Sequence, residues 1–470
     1  MAEFQYGNIP GTDSFDQSSL YDRLNLSYSY KSLNLYTRIE QYYPSFGDNK
    51  SYTRLSQYRV QYNAEKLKLT VGHMYTTLGK GLLLRTYEIP GSIWETRGYR
   101  VRYGFYKDLH GIEAVYRIRN FEVKALRGRL LDVALPPTLD KDIERRPDLV
   151  EGGEIKYSFQ KHKTGIIFLR QTNEGVSSNY TSIEYEGNLG KNISLVGEFA
   201  FGIDSSVNVF SFSDTSAYGI YTGITYTGGS FGVSVEFKNY RNMSIGSGIS
   251  DPPTLVKENS YRLLNRSTHV PILTDESGYQ VELYYRFQNG GMITLNHALA
   301  KNEISQGNAP VFKELFAEFW FPVGNKNSGR IFADYSSDPL VNENNRYTTG
   351  FEVEIVHSRL NSDLTGELQY AERKIAQTVR FINVYAGYTL SFGSRFSVAI
   401  VVEATDDPVH LETNQDWNYY PSLTLNYRPD NHNRISVFGG KRRGGPACNS
   451  GVCYNVLDFE GIEIRLTSRF

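Results

Sequence analysis

Alternation constrains this chain more than any other feature. Polar and apolar residues take turns with a period of two, in segments of ~8–11 residues that recur along its whole length. From Tyr279 to Gln288, one face carries Tyr279, Val281, Leu283, Tyr285 and Phe287. The other face carries Gln280, Glu282, Tyr284, Arg286 and Gln288. A helix repeats every 3.6 residues and could not separate these two sets. The same pattern runs through Leu24–Tyr30, Leu33–Glu40, Tyr58–Tyr62, Phe351–Ile355, Leu364–Tyr370 and Ile462–Phe470. We count roughly 22 such segments, with 20 to 24 compatible with the pattern. The expected fold is therefore all-β.

The connections have their own pattern. Short turn signals such as Asn63-Ala64-Glu65-Lys66, Asn289-Gly290-Gly291 and Gly393-Ser394 alternate with longer segments. The longer ones cover about 77–111, 130–150, 241–277 and 406–416. A propeller would show a repeat of ~40–50 residues with a motif in each blade, and none is present. In a bilayer every backbone polar group must be paired within the protein, so spanning strands must close on themselves. Short turns on one rim and long loops on the other are the asymmetry of a membrane barrel. The expectation is one antiparallel transmembrane barrel over 21–470. Residues 1–20 are expected as a separate periplasmic or lumen-associated segment.

Composition fits this reading. The chain has 36 Tyr, 26 Phe and 42 Gly but only 4 Met, and no run approaches the ~18 apolar residues of a spanning helix. Charged residues are 21% of the chain, which a barrel tolerates because its inner face meets water. Fifty basic residues against 51 acidic ones give a net charge of -1, leaving no field for nucleic acid. Met1-Ala2-Glu3-Phe4 lacks a basic stretch followed by an apolar one. Met1, with or without Ala2, is therefore expected to be a start placed ahead of a mature, exported sequence.

Two resemblances add to this. The chain ends in Phe470, with Leu466, Ile464 and Ile462 at alternate positions upstream. This ending resembles the signal read by the bacterial outer-membrane assembly machinery, which implies a Gram-negative outer membrane. Gly79-Lys80-Gly81-Leu82-Leu83-Leu84-Arg85-Thr86-Tyr87-Glu88 resembles a motif of an uncharacterised, porin-like outer-membrane barrel family common in Bacteroidota. Arg97–Val101 and Val123–Arg129 are similar to that family's next segments. The resemblance covers roughly the first 130 residues and implies a barrel but no activity.

The candidate residues follow from the faces. Arg38, Glu40, Arg59, Glu282, Arg286, Glu352, Glu354, Glu367, Glu463, Arg465 and Arg469 fall on inward faces and are expected to line a pore. The segment 77–111 is either an inward-folded constriction, with Arg85, Glu88, Arg97 and Arg100 setting a field, or another hairpin above the membrane. Its Gly-x-Gly is not followed by a helix pattern and is no phosphate cradle. Cys448 and Cys453 are expected to form a loop disulfide, with metal binding as the competing idea. Asp406, Asp407, His410, Glu412 and Asp416 are read as a solvated loop, with a calcium site and catalysis as alternatives. Asp140–Arg146 is read as a charged external loop.

No cofactor, metal or catalytic residue is expected, and the chain is not expected to be an enzyme. Alternation begins near Leu24, which leaves no room for the plug domain of a TonB-dependent transporter. Two classes remain. One is a channel for passive diffusion of small hydrophilic solutes, needing only bore, water and lining charge. The other is a closed interaction barrel serving as partner subunit of an outer-membrane complex. The expected partners are outer-membrane lipid, the barrel-assembly machinery, and a surface lipoprotein or other outer-membrane protein.

Overall fold

The computed structural model describes residues 1–8, 17–43, 51–95, 101–131, 145–203, 217–246, 248–270, 272–302, 311–374, 377–411, 415–449 and 452–470. Its main element is a 24-stranded sheet in which every pairing is antiparallel. The first strand, Ala2–Asn8, pairs on one side with Gln17–Tyr30 and on the other with the last, Phe459–Ser468, so the sheet closes into a barrel. Sequence neighbours pair around the ring except at two places. Leu67–Met74 pairs with Leu109–Ile118, leaving out 75–108, and Asn433–Arg442 pairs with Phe459–Ser468.

Two expectations are corrected here. The ring has 24 strands rather than roughly 22. Within 1–20, residues 2–8 and 17–20 belong to the barrel wall rather than to a separate segment, and Ala2–Asn8 is the strand that closes it. That strand has only 7 residues, too few for its alternation to stand out by eye. Its Phe4 and Tyr6 are nevertheless exposed while Glu3 and Gln5 are buried.

The outer face is built from the alternate residues of each strand. Tyr116, Val123, Ile155, Ile166, Ile183, Phe199 and Ile220 stand opposite one another across successive strands and form a continuous apolar row. The inner face is polar over much of the ring. Thr348, Gln369, Asn383 and Thr405 form one such row, linked by hydrogen bonds of 3.0, 2.8 and 2.6 Å. Leu126, Leu130, Val150, Ile167 and Leu169 break the rule, since they are apolar, inward and buried.

Turns of two to five residues, such as 31–32, 119–120, 160–161 and 229–230, occupy one rim. The opposite rim carries the long connections, including 75–108 and 242–274. It is not uniformly long, because 174–175 is a two-residue turn with Glu174 at φ 48 and Gly175 at φ 85. Both central residues are left-handed, as a type I′ hairpin requires. At Gly111, a Cβ would lie 1.9 Å from the Arg127 carbonyl oxygen. Gly72, Gly111 and Gly128 stand in one row, and there the neighbouring backbones approach too closely for a side chain.

Candidate functional site: two segments inside the barrel

The segment 75–108 folds inward. Thr77–Leu78 pairs with Leu84–Arg85 to make a small hairpin with Gly79-Lys80-Gly81 at its tip. Gly79 and Gly81 have φ of 57 and 95, a backbone course that favours glycine. The tip's amides meet carboxylates of the wall. Gly79 N–H donates to Glu154 Oε1 at 3.0 Å and Lys80 N–H to Glu198 Oε2 at 2.5 Å. The Lys80 ammonium pairs with Glu186 at 2.8 Å. Leu78, Leu82, Leu83 and Leu84 are at most 1% exposed. They pack on the inward Leu126, Leu130, Val150, Ile167 and Leu169, together with Met243, Ile245, Ile249 and Leu255 of the second segment. The apolar residues on the inner wall thus serve as a seat for this tip.

Beyond Thr86 the chain forms a second hairpin, Tyr87–Glu95 with Arg102–Lys107, held by polar contacts together with the packing of Val101 and Tyr103 on Tyr21 and Tyr42. Arg102 donates to Glu3 Oε1 at 2.5 Å, with the two side chains 3% and 1% exposed. Glu40, fully buried, accepts from Gly104 N–H at 2.9 Å and from the hydroxyls of Tyr21 at 2.5 Å and Tyr106 at 3.2 Å. Tyr103 stacks on Tyr52 at 5.2 Å between centroids. Glu88 accepts from Arg38 at 2.9 and 3.1 Å, from Arg23 at 3.3 Å and from the Tyr75 hydroxyl at 2.9 Å.

The segment 242–274 meets the first one and then follows the wall. Asp251 N–H donates to Gly81 O at 3.1 Å, Arg85 N–H donates to Ile249 O at 3.4 Å, and the Arg85 guanidinium lies 3.7 Å from Asp251. Burial raises the pKa of the Asp251 carboxyl above its usual range, although Lys107 and Arg85 oppose it. Burial likewise pushes Lys107 down to about 8. Farther along, Tyr261 stacks on Phe332 at 3.7 Å. The first amides of the single-turn helix Arg262–Asn265 donate to Glu367 at 2.7 and 2.8 Å. Arg266 pairs with Glu403, and His269 lies between Asp338 at 2.8 Å and Glu276 at 3.4 Å.

The expected pore-lining residues fall into three groups. Arg38, Glu40, Glu367 and Glu463 are inward and buried, the first three against the inserted segments. Glu463 accepts from Gln5 at 2.7 Å and pairs with Arg442, and Arg465 pairs with Glu3. Arg59 lies over the Tyr36 ring, Glu282 pairs with Lys257 at 2.6 Å, Glu352 with Arg330 at 3.0 Å, and Glu354 accepts from Ser328 at 3.3 Å. Arg286 is exposed at the end of its strand, and Arg469 lies past the end of the last strand rather than along the wall.

Of the constriction candidates, Arg85 and Glu88 come to the contacts above, whereas Arg97 and Arg100 lie outside the described residues. The hairpin Gly445–Asn449/Val452–Val456 places Cys448 opposite Cys453, but their side chains lie outside the described residues. So do Glu412 and the charged run 140–144. Asp407 is fully buried and held by both guanidinium nitrogens of Arg373 at 3.0 Å. That pairing corrects the reading of a solvated loop there. Among the described residues, no group of three His, Cys, Asp or Glu side chains is placed to hold a metal. The sequence reading missed the inward course of 242–274, and it missed Glu154, Glu186 and Glu198 as seats for the tip. Their position on an inward face was the only available signal.

A sequence model of a family of unknown function, DUF6029, matches residues 11–386. The chain belongs to this family. The match extends well beyond the roughly 130 residues over which a family likeness is visible by eye. No curated protein matches the chain. Among solved structures, an E. coli P pilus tip assembly intermediate (PapC-PapD-PapK-PapG) aligns with a TM-score of 0.54 at 9% identity, covering 99% of this chain and 60% of that one. The PapC usher translocation pore aligns at 0.47 and 8% identity, covering 99% and 98%. The outer membrane protein opdK of Pseudomonas aeruginosa aligns at 0.40 and 12% identity, covering 75% and 95%. The first of these likenesses shows a shared barrel fold.

Proposed function

We propose that this family member is an outer-membrane, porin-like channel for small hydrophilic solutes, narrowed by the inserted segment 75–108. The observation that carries this reading is the position of that segment. A 24-strand ring encloses a lumen wide enough to need filling, and the segment's tip and hairpin rest on two different parts of the inner wall. Diffusion through such a barrel needs no catalytic step, cofactor or metal. In this reading the chain sits in a Gram-negative outer membrane of the Bacteroidota type. Lipid covers its apolar rows, and Phe470 serves the assembly machinery.

The apolar cluster sealed between tip and wall favours a second reading, a barrel closed at rest that acts as a subunit with a lipoprotein or other outer-membrane partner. One experiment separates the two. Deleting about 91–96 trims the hairpin without touching the tip. Under the channel reading, single-channel conductance in a planar bilayer rises, or appears where the parent is silent. A trimmed protein that folds and stays silent supports the closed barrel. A trimmed protein whose conductance equals that of a conducting parent puts the hairpin outside the conducting path.

A further inference from the structure

Glu88 occupies a site that looks built for a carboxylate. Two guanidiniums, from Arg23 and Arg38 on neighbouring strands of the wall, converge on it with the Tyr75 hydroxyl. Both arginines are buried, at 8% and 3% exposure, while Glu88 is 17% exposed. The grip is incomplete, because buried Arg23 Nε and Arg38 Nη1 have no hydrogen-bond acceptor. Among the described residues, Glu88 is the only carboxylate bonded to either guanidinium. The nearby Glu40 is committed to Tyr21, Tyr106, Gly104 and Arg54.

The surroundings are also suited to a ligand. Asn25 and Tyr36 lie beside Arg38, with Asn25 Oδ1 accepting from Arg38 Nε at 2.8 Å and from the Tyr36 hydroxyl at 3.1 Å. Arg59, partly exposed, also lies over the Tyr36 ring. Arg23, Arg38 and Arg59 thus stand on three successive strands of one part of the wall. Among the described residues, the carboxylate filling the site comes from the inserted hairpin rather than from the wall. Arginine pairs with carboxylates through two parallel N–H bonds, and guanidinium N–H groups left over in a buried site carry a desolvation cost that a better-fitting anion would remove.

We propose that Arg23, Arg38 and Tyr75 form a binding site for carboxylate-bearing solutes, and that Glu88 occupies it as a built-in competitor. An arriving carboxylate displaces Glu88, which loosens the hairpin and opens that side of the lumen. This rests on the channel reading and names its solute class.

The test uses the full chain in detergent and in planar bilayers, with succinate as probe and the uncharged succinamide as control. Removing the competitor raises the fraction of empty sites, so Glu88→Gln should bind succinate about tenfold more tightly than the parent by calorimetry. Adding Arg38→Gln to that variant should abolish the gain, and succinamide should bind to neither. Heat-modifiable gel migration establishes that each variant is folded, and Arg23→Lys serves as a milder second variant if Arg38→Gln fails to fold. Equal succinate binding by Glu88→Gln and the parent overturns the site, whatever the conductance. Tighter binding with no current, even from the hairpin-trimmed barrel, leaves the site standing and overturns the channel reading instead.

Discussion

The buried pair of Arg102 and Glu3 shows how single residues hold the hairpin in the lumen. Neither side chain reaches water, and removing Arg102 leaves buried Glu3 with Arg465 as its remaining cation, a loss below the ~3–5 kcal/mol of a buried pair broken outright. Arg102→Ala should detach the hairpin without unfolding the wall, seen as new protease cleavage within 87–107 while heat-modifiable migration is kept. His269 gives a pH signature. Burial alone would lower its pKa, but hydrogen bonds to Asp338 and Glu276 outweigh this and raise it above the usual value. Lys238 shares the Glu276 carboxylate. A raised folded-state pKa means the stabilisation is complete below the unfolded value of about 6.5 and is lost as pH rises through the folded one. The anchor of 242–274 should therefore weaken as pH rises above that point, and His269→Asn should flatten this part of the melting-temperature profile. Alternation was enough to put Arg38 and Glu40 on an inward face. It could not name Glu88 as the partner of Arg38, because that contact joins residues 50 apart in sequence and no local pattern encodes it.

At the scale of elements, the inserted segment has two parts held by different forces. Its tip is seated by apolar burial. Truncating Leu83, which is 0% exposed, should cost about 2–5 kcal/mol, as for other buried leucines cut to alanine. The hairpin adds ion pairs and hydrogen bonds to its aromatic packing, so high salt should loosen its partly exposed contacts first. Limited proteolysis of Leu83→Ala should release cleavage sites near Gly81 that the parent protects; a parent-like pattern would mean the tip is held elsewhere. The tip was partly legible, since Gly79-Lys80-Gly81 followed by three leucines departs from strand alternation. The segment 242–274 was legible only as a long connection. Its anchors at Glu276, Glu367 and Glu403 lie on distant strands, and only the closed ring brings them together.

Over the whole molecule, the proposed outer-membrane setting gives the two faces of each strand different solvents, and this makes the register testable. Leu283 stands in an outward row with Val233 and Leu295, whereas Glu282, one residue earlier, reaches Lys257 of the inserted segment. This much was readable from sequence, because a period of two assigns every residue of a strand once one face is known. The strand number was not, because the shortest wall strand carries too few repeats. Placing Arg at Leu283 brings a charge to the lipid face and should cost up to about 2–4 kcal/mol near the bilayer midplane. Glu282→Gln keeps the shape and a hydrogen-bonding group in a polar setting, so its effect should be small. Denaturant-induced unfolding in lipid vesicles measures both, with Glu282→Arg as the matched control on the inner face. If Leu283→Arg and Glu282→Arg lose equal stability, the inward and outward faces of this strand are assigned wrongly.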